Sequence, residues 1–190
     1  MNKQSFIFVT KNKEKISDIT DMIGNKFDVT FNKEIELIEI QSLSVEEVVA
    51  FKAKQAYELL SKPVAVSDSG LEITGLNNFP GALVKFANET LGQEKIIKLL
   101  ENEKNRRAFF VAAIAYCDGP NKVEVFIQRD EGEIAMEPIG IGWHFDRIFI
   151  PKGEKHTWAE IGRKVKNKDS AFRRALEQLI IYLEKKEIDR

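Results

Sequence analysis

The chain has 190 residues, of which 43% are hydrophobic and 31% charged, so it is long enough for one well-packed domain with a solvated surface. Its formal net charge of −1 argues against a nucleic-acid partner or attachment to a membrane surface, and no apolar stretch approaches the roughly 20 residues of a membrane span. The single cysteine excludes an internal disulfide, so we expect a cytoplasmic protein.

The first half of the chain alternates predicted strands and helices, which is typical of an α/β fold. The predicted strands span residues 6–10, 27–31, 35–40, 64–67 and 72–76. The predicted helices span residues 12–23 and 45–60, the second capped by Ser44.

The second half has a different texture, with a helix over residues 94–100 and then two long β-rich runs. These runs, residues 107–117 and 122–128, flank Asp118-Gly119-Pro120 and predict a hairpin. An amphipathic helix over residues 169–184 closes the chain. Together the two halves predict an α/β fold with a mixed sheet, flanking helices and an antiparallel β extension.

The run from Ala65 to Leu71 moves abruptly from apolar residues to Ser67-Asp68-Ser69-Gly70. Such a run is typical of a strand that delivers a carboxylate to the edge of a sheet, with glycine allowing a sharp turn and the close approach of a ligand. A strand followed by an ordinary polar turn is the alternative interpretation.

The first predicted strand leads into Thr10-Lys11-Asn12-Lys13-Glu14-Lys15, where a helix begins. Backbone N–H groups at a helix start favour anions, and Lys15 one turn later adds positive charge. The segment therefore resembles a phosphate cradle, although it lacks the glycines of a P-loop. A solvated basic turn would have the same composition.

Two further charged residues are candidates. Glu39 lies near the end of the strand predicted over residues 35–40, and Lys52 lies on the helix that follows. Taken singly, Glu39 fits an edge-strand gatekeeper and Lys52 a surface lysine. Together with Asp68, they suggest that Glu39 and Asp68 hold one Mg²⁺ while Asn12, Lys15 and Lys52 face a polyphosphate.

A second segment with candidate ligand-binding residues, residues 140–149, combines glycine, histidine, aspartate and aromatic residues. Trp143 and Phe145 could stack on a nucleobase, and Asp146 could hydrogen-bond to its edge. A strand with inward-facing aromatic residues and a glycine bulge is the alternative. Further on, Lys166 and Ser170 lie at the start of the last helix, a natural position for anion contact.

Taken together, these residues resemble the inosine-triphosphate pyrophosphatase family over nearly the whole chain. Eight segments match the family's motifs in the right order. They are Thr10–Lys15, Glu39, Lys52, Ser67–Leu71, Pro80-Gly81 with Lys85, Gly142–Phe149, Thr157–Glu160 and Lys166–Phe172. Each match is weak singly, but their order makes a chance resemblance improbable.

The resemblance implies an elongated fold of two lobes around a central cleft, formed by residues 1–190 as a single domain. It implies a homodimer that cleaves (d)ITP or XTP to the monophosphate and pyrophosphate with Mg²⁺. Asp68, Glu39 and Lys15 would be catalytic, and Glu39 and Asp68 would bind the metal. The remaining substrate contacts would be Thr10, Asn12, Lys52, Ser69, Lys85, Trp143, Phe145, Asp146, Lys166 and Ser170.

Several positions depart from the family pattern. Ala171-Phe172 replaces the family's His-Arg, which reads the purine 6-oxo group, and Arg173 is rotated by about 100° from that position. His144 or Arg147 could supply the lost donor. Ser67 replaces the first of two acids, as Lys11 replaces a glycine. An alternative function follows: a weak or inactive nucleotide sensor, for example for dITP, that works with a protein effector in a stress or antiphage-defence complex.

Overall fold

A computed structural model describes residues 3–120, 122–142, 144–166 and 168–188. The strands are β1 Ser5–Val9, β2 Asp28–Asn32, β3 Val64–Ile73, β4 Pro80–Gly81, β5 Arg107–Cys117, β6 Val123–Ile134 and β7 Phe149–Pro151. The helices are α1 Lys13–Ile23, α2 Val45–Leu60, α3 Val84–Thr90, α4 Gly92–Leu99, α5 Trp158–Ile161, α6 Arg163–Lys166 and α7 Ala171–Ile188.

One sheet organises the molecule, with the strand order β2-β1-β3-β5-β6-β7 and the short β4 beside β3. Strand β1 runs parallel to β2 and β3, and the pairs from β3 onwards are antiparallel. The predicted mixed α/β sheet with an antiparallel extension is therefore confirmed. The predicted hairpin around Asp118–Pro120 is the turn between β5 and β6.

The apolar residues of the sheet and helices form three clusters. The first packs α1 and α7 on one face of the sheet, around residues such as Phe8, Ile19 and Leu176. The second packs α2 on the opposite face, around Val49 and Val66. The third gathers α3, α4, α5 and β7 around the far end of β3. The two ends of β3 are therefore held by different cores.

Strand β3 changes neighbours along its length, and this change creates an opening. On one side, β1 pairs only with Val64–Val66 and β4 only with Leu71 and Glu72, within the part of the chain that the structure describes. The segment between them, residues 67–70, keeps its pairing with β5 on the other side. Ligands of α/β sheets bind outside the carboxyl ends of parallel strands, and the end of β1 lies here.

Two predictions about strands were wrong. Residues 35–40 form no strand, because the backbone N–H of Ile38 bonds to the side chain of Gln55 on α2 rather than to another strand. Residues 72–76 are not a separate strand either. Strand β3 continues without interruption to Ile73, paired throughout with β5, and one 3₁₀ turn over Thr74–Leu76 follows.

Gly70 therefore lies inside a strand, and the prediction of a sharp turn after Asp68 was wrong. A Cβ atom at Gly70 would come within 2.5 Å of the carbonyl oxygen of Gly81 and 2.6 Å of Cγ2 of Val45. Glycine is required because β4 and α2 approach the β3 backbone closely. This close approach holds α2, β3 and β4 together beside Asp68.

The helices predicted over residues 12–23, 45–60, 94–100 and 169–184 are all present, whereas α3, α5 and α6 were not predicted. Ser44 accepts a hydrogen bond from the backbone N–H of Glu47 and caps α2 as expected. The last helix begins at Ala171, two residues later than predicted, and ends at Ile188. Cys117 is buried, and burial raises the pKa of its thiol. None of the described helices has both the length and the apolar character that crossing a membrane requires.

Candidate active site

Three adjoining cavities open around residues 67–70 of β3. A cavity of about 660 Å³, here called the lysine cavity, is lined by Lys11, Lys15, Lys52 and Lys85 together with Glu39 and Asp68. A cavity of about 490 Å³, the aromatic cavity, is lined by Phe110, Phe172, Asp146, Lys166 and Ser170. A connecting cavity of about 220 Å³ borders Ser69, Lys85 and Phe145.

The cavities share walls and so form one cleft. Asn12 and Lys15 line both the lysine and the aromatic cavity. Asp68 lines the lysine and connecting cavities, and Asp146 lines the connecting and aromatic cavities. The structure therefore brings the segments predicted at the phosphate end and at the base end into one continuous space.

The start of α1 forms one wall, and its backbone groups are used internally. The side-chain oxygen of Asn12 accepts hydrogen bonds from the N–H groups of Glu14 at 2.9 Å and Lys15 at 3.3 Å. Thr10 supports the loop by accepting from the N–H of Asn12 at 3.2 Å. These N–H groups are thus already satisfied, and the attraction for an anion falls mainly to the nearby lysine side chains.

Lys15 is the most unusual of these lysines. Its Nζ donates to the hydroxyl of Ser67 at 3.0 Å and lies 5.3 Å from the ring centre of Phe172. Burial lowers the pKa of Lys15 to about 8, with Asp68 opposing this change and Lys52 adding to it. No ion pair of Lys15 with a carboxylate is found in the described ranges. A partly desolvated ammonium beside a cavity is well suited to an anionic ligand.

Lys52 has the opposite environment, because two carboxylates converge on it. Its Nζ lies 2.7 Å from Oε1 of Glu39 and 3.2 Å from Oδ2 of Asp68. Burial opposes the charged form, but Asp68 and Glu39 outweigh it and raise the pKa of Lys52. Helix α2 delivers this lysine beside Val49 and Ala53, which pack on the sheet and aim the stem toward β3.

The chemistry of the two carboxylates fits Mg²⁺, although Glu39 lies on a loop rather than at a strand end as predicted. Two oxygens from separate elements already meet at one cation, and Mg²⁺ commonly binds one or two carboxylates together with water and substrate phosphates. Among the described residues, no cluster of three or more His, Cys, Asp or Glu side chains that could hold a metal is found.

The aromatic cavity contains a tight ion pair on an aromatic surface. Nζ of Lys166 lies 2.6 Å from Oδ1 of Asp146, and both side chains are less than one-fifth exposed. The same Nζ lies 4.2 Å from the ring centre of Trp158 and 5.1 Å from that of Phe110. Lys166 was expected near the phosphates, and the structure brings it to the opposite end of the cleft.

The other predicted residues of this region differ in their placement. Phe145 is only 3% exposed and belongs to the third core cluster, although it borders the connecting cavity. Ser170 directly precedes α7, and its hydroxyl accepts a hydrogen bond from the N–H of Arg173 at 3.3 Å. Lys85 is exposed on α3 beside two of the cavities. Trp143 lies outside the described residues.

The arginines considered as substitute base readers have other partners. Arg147 donates to the carbonyl of Gly140 and to the side chain of Gln93, both at 3.1 Å. Arg173 bonds to Asp18 at 2.7 Å and to Asp21, which ties α7 to α1. Neither arginine lines any of the three cavities, and the suggestion that Arg147 supplies a base donor stays a prediction. The side chain of His144 lies outside the described part of the structure.

Sequence reasoning did not identify Phe110 as a cavity residue or Trp158 as a ring contact of Lys166. Phe110 lies in the apolar strand β5, where its residue type and spacing are those of any core phenylalanine. Trp158 follows the N-cap Thr157 in a one-turn helix. Trp158 belongs to the matched segment Thr157–Glu160, but its contact with Lys166 appears only in the structure, and Phe110 has no local signal in the sequence.

The structure is a mixed α/β fold with a lysine-lined cleft, and comparison with known proteins identifies its family. Residues 6–182 match the Ham1 family. The chain is 39% identical over 173 residues to the dITP/XTP pyrophosphatase of Methanopyrus kandleri, covering 90% of this chain and 92% of that protein. It is 38% identical to the dITP/XTP pyrophosphatase of Saccharolobus solfataricus, covering 93% and 92%.

Solved structures give the same result. The Ham1 protein of Staphylococcus aureus superposes with a TM-score of 0.84 at 28% identity, covering 96% of this chain and 100% of that one. A HAM1 protein from Coxiella burnetii superposes with the same TM-score at 26% identity, covering 96% and 99%. The chain belongs to the Ham1 family, and the resemblance inferred from its sequence motifs is confirmed.

Proposed function

We propose that this protein is a hydrolase that cleaves a non-canonical purine nucleoside triphosphate of the dITP/XTP kind to its monophosphate and pyrophosphate. The observation that carries the proposal is the lysine cavity. There, the ammonium of Lys15, which contacts no carboxylate among the described residues, lies beside a carboxylate pair that fits Mg²⁺. Phosphoryl chemistry needs this combination, because its main demands are charge neutralisation and alignment of the attacking water. The names of the relatives support the substrate class.

In this proposal the residues of the lysine cavity bind the triphosphate. Lys15, Lys52 and Lys85 neutralise its oxygens, and Thr10 and Asn12 shape the loop beside them. Glu39 and Asp68 hold Mg²⁺, which when bound supplies electrostatic stabilisation of the phosphate oxygens. Ser69, two residues beyond Ser67 on the same face of β3, borders the path toward the aromatic cavity.

The reaction consists of attack by water at the α-phosphorus. Asp68 accepts a proton from this water as the new oxygen–phosphorus bond forms. The bond between the α-phosphorus and the oxygen that bridges to the β-phosphate breaks, and pyrophosphate leaves with that oxygen. Asp68 suits this role because β3 and the Ser69 backbone N–H, which donates to its Oδ1 at 2.7 Å, hold the carboxylate in one orientation.

The base enters the aromatic cavity. Phe110 and Phe172 offer apolar faces, and the Asp146–Lys166 pair offers both an acceptor and a donor to the base edge. Ser170 adds a hydroxyl, Phe145 borders the connecting cavity, and Trp143 stays a predicted base contact. Lys166 thereby moves from the predicted phosphate contacts to the base contacts, because its ammonium is bonded to Asp146.

The proposal extends to the whole molecule as a single two-lobed domain, residues 1–190, that acts as a cytoplasmic homodimer. The sensor function remains a second candidate. The observation that favours it is that Ser67, a neutral hydroxyl, takes the hydrogen bond of Lys15 where a second carboxylate was expected. A protein that binds the nucleotide tightly, turns it over slowly and co-purifies with an effector chain would fit that alternative.

A nucleotide panel tests the proposal. Pyrophosphate release and binding are measured with ITP, dITP, XTP and the four ordinary ribonucleoside triphosphates, each with and without Mg²⁺. We expect release from at least one non-canonical purine triphosphate, and a loss of about 10²–10⁴-fold in Asp68→Asn. Binding without release by any nucleotide would favour the sensor function, and neither binding nor release would overturn both.

A further inference from the structure

The three-residue bridge Glu39–Lys52–Asp68 has a property that the proposed function does not use. One ammonium satisfies both carboxylates, and in the described structure it lies between the groups proposed to hold Mg²⁺. The side chains of Lys52 and Asp68 are only 13% and 17% exposed, whereas that of Glu39 is 63% exposed. The bridge therefore has a partly buried side, made by α2 and β3, and a solvent-facing side.

A divalent cation and this ammonium compete for the same oxygens. Mg²⁺ requires oxygen ligands at about 2.0–2.1 Å in near-octahedral geometry, which leaves no room for an ammonium between the same carboxylates. Mg²⁺ and the Lys52 ammonium, both in contact with the same two carboxylates, would also repel each other in this partly desolvated site. Binding of the metal therefore requires Lys52 to withdraw from at least one carboxylate.

The structure offers space for the Lys52 ammonium to move into, and it places Glu39 on a loop that can move with the metal. Lys52 lines the lysine cavity, and its flexible four-carbon stem can carry the ammonium into that space. Glu39 belongs to a segment, residues 35–40, without helix or strand, so it can follow a new cation. An ammonium without carboxylate partners needs another anion, and the proposed triphosphate would supply it in this cavity.

The geometry points to Lys52 as an exchangeable counter-cation of the metal site. In the nucleotide-free protein it holds Glu39 and Asp68 and weakens divalent-cation binding. When nucleotide is bound, Lys52 transfers to a phosphate oxygen and releases both carboxylates to the metal. Metal and nucleotide therefore bind cooperatively, each favouring the other by the same factor. This inference rests on the proposed function, because it takes Glu39 and Asp68 as the metal ligands.

Titration calorimetry with Mg²⁺ alone tests the claim that Lys52 weakens metal binding in the nucleotide-free protein. We expect Lys52→Met and Lys52→Gln to bind Mg²⁺ at least about tenfold more tightly than the unmodified protein in the absence of nucleotide. Lys85→Met is the matched control, because it removes one positive charge from the same cavity without touching the bridge. Its affinity for Mg²⁺ should change by less than about threefold, since screened charges at longer range interact weakly.

Mg²⁺ binding in the presence of nucleotide tests the claim that Lys52 transfers to a phosphate and releases both carboxylates to the metal. With an α,β-methylene purine triphosphate, which cannot release pyrophosphate, the unmodified protein should bind Mg²⁺ about 5–150-fold more tightly than without nucleotide. This gain should be smaller in Lys52→Gln, which keeps hydrogen-bond donors but no charge. In ¹⁵N-lysine-labelled protein, the Lys52 ammonium resonance should shift when Mg²⁺ and the analogue are added together. That measurement requires no substitution and holds even if a variant fails to fold.

The outcomes separate the inference from the proposed function. Mg²⁺ binding that requires Asp68 but is not tightened in either Lys52 variant would overturn the counter-cation role and leave the metal site intact. An unmoved Lys52 resonance on addition of both ligands would do the same. No Asp68-dependent Mg²⁺ binding, with or without the analogue, would overturn the metal site and with it the proposed function.

Discussion

The lysine cavity and the aromatic cavity belong to one cleft but treat charge in opposite ways. In the lysine cavity, Lys15 contacts a neutral hydroxyl and Lys52 joins two carboxylates that are proposed to serve a metal. In the aromatic cavity, Asp146 and Lys166 neutralise each other within the protein. Charge is thus available to a ligand at one end and internally compensated at the other.

This difference corresponds to the two halves of a nucleotide. A polyphosphate carries several negative charges, which favour cations that are not fully neutralised by the protein. A base is neutral and is best recognised by aromatic faces and a few hydrogen-bonding groups that are already oriented. If the comparison is correct, substitutions at the lysine cavity should mainly alter catalysis and charge-dependent stability. Those at the aromatic cavity should alter packing and base preference.

The largest effect is expected from Lys15→Met. Loss of this ammonium should lower kcat/KM for the preferred triphosphate by about 10²–10³-fold, as when one strong donor to a transition-state oxyanion is removed. The nucleotide-free protein should nevertheless become more stable by about 1 kcal/mol, because a partly buried charge is replaced by a side chain of similar volume.

Pyrophosphate release and thermal unfolding without nucleotide measure the two effects of Lys15→Met. Lys98→Met, at an exposed position near the end of α4, is the control and should change stability by less than about 0.5 kcal/mol. Lower stability together with unchanged activity in Lys15→Met would contradict the role assigned to this lysine.

The next largest effect is expected at the aromatic cavity, from breaking the Asp146–Lys166 pair. Asp146→Asn leaves the ammonium of Lys166 largely buried without its counter-charge, which should cost about 1–3 kcal/mol of unfolding free energy. The double variant Asp146→Asn/Lys166→Met should recover part of this loss and change the relative rates with different purine bases.

Denaturant unfolding of the two single variants and the double variant measures this coupling. Free-energy changes that add to within about 0.3–0.5 kcal/mol would mean that the two side chains do not interact. Unaltered relative rates across the nucleotide panel would separately remove Asp146 and Lys166 from base recognition.

A pH titration of stability sharpens the interpretation of Lys15. The pKa of Lys15 in the folded protein is lowered to about 8 from the usual 10.5 of lysine, so the unfolded chain binds more protons between these two pH values. The cost of burying the charge is complete below pH 8 and is lost as the pH rises from about 8 toward 10.5. The stability difference between Lys15→Met and the unmodified protein should therefore be largest below pH 8 and shrink above it.

Chemical unfolding of both proteins at a series of pH values from 6 to 10 would measure this difference. A gap that does not change with pH would mean that Lys15 titrates normally in the folded state. Phosphate binding should also weaken above pH 8, because Lys15 loses its charge there when no ligand is bound.

The smallest effect is expected from Ser67→Ala. It removes one hydrogen bond that water in the open cleft can partly replace, and it should cost about 0.5–1.5 kcal/mol in nucleotide binding or stability. Nucleotide affinity and unfolding free energy measured on the same sample show where the cost falls. Ser69→Ala is the control on the same strand. A loss of turnover as large as that of Lys15→Met would mean that Ser67 does more than position the lysine.

Much of the site could be predicted from the sequence because its residues lie in short segments whose local chemistry is visible. Asp68 follows an apolar run, Lys15 begins a helix, and Asp146 lies in a segment too polar for a plain core. Glu39 was identified from the resemblance although its predicted strand was wrong. A side chain on a loop can reach the same place as one at a strand end, so the error in local structure left the candidate site intact.

Contacts between distant segments could not be predicted in this way. Phe172 was recognised as a departure from the family pattern, but its position over Lys15 depends on how α7 packs against α1. Gly70 was taken for a turn residue, because its need to avoid Gly81 and Val45 arises only once β4 and α2 are in place. Phe110 could not be distinguished from a core residue at all.

By itself, the sequence determined the α/β class and the order of most strands and helices, because hydrophobic periodicity and capping residues are local properties. The order of short motifs along the chain also indicated the family and the charged residues available to a ligand. Only the tertiary structure decided that Lys52 stands between Glu39 and Asp68 and that Lys166 bonds to Asp146. It also decided that Lys15 bonds to the hydroxyl of Ser67 and to no carboxylate of the described residues. Those facts depend on strand register and helix packing. Strand register and helix packing bring together residues that are far apart in the chain. They therefore decide which charges are neutralised within the protein and which remain available to a ligand.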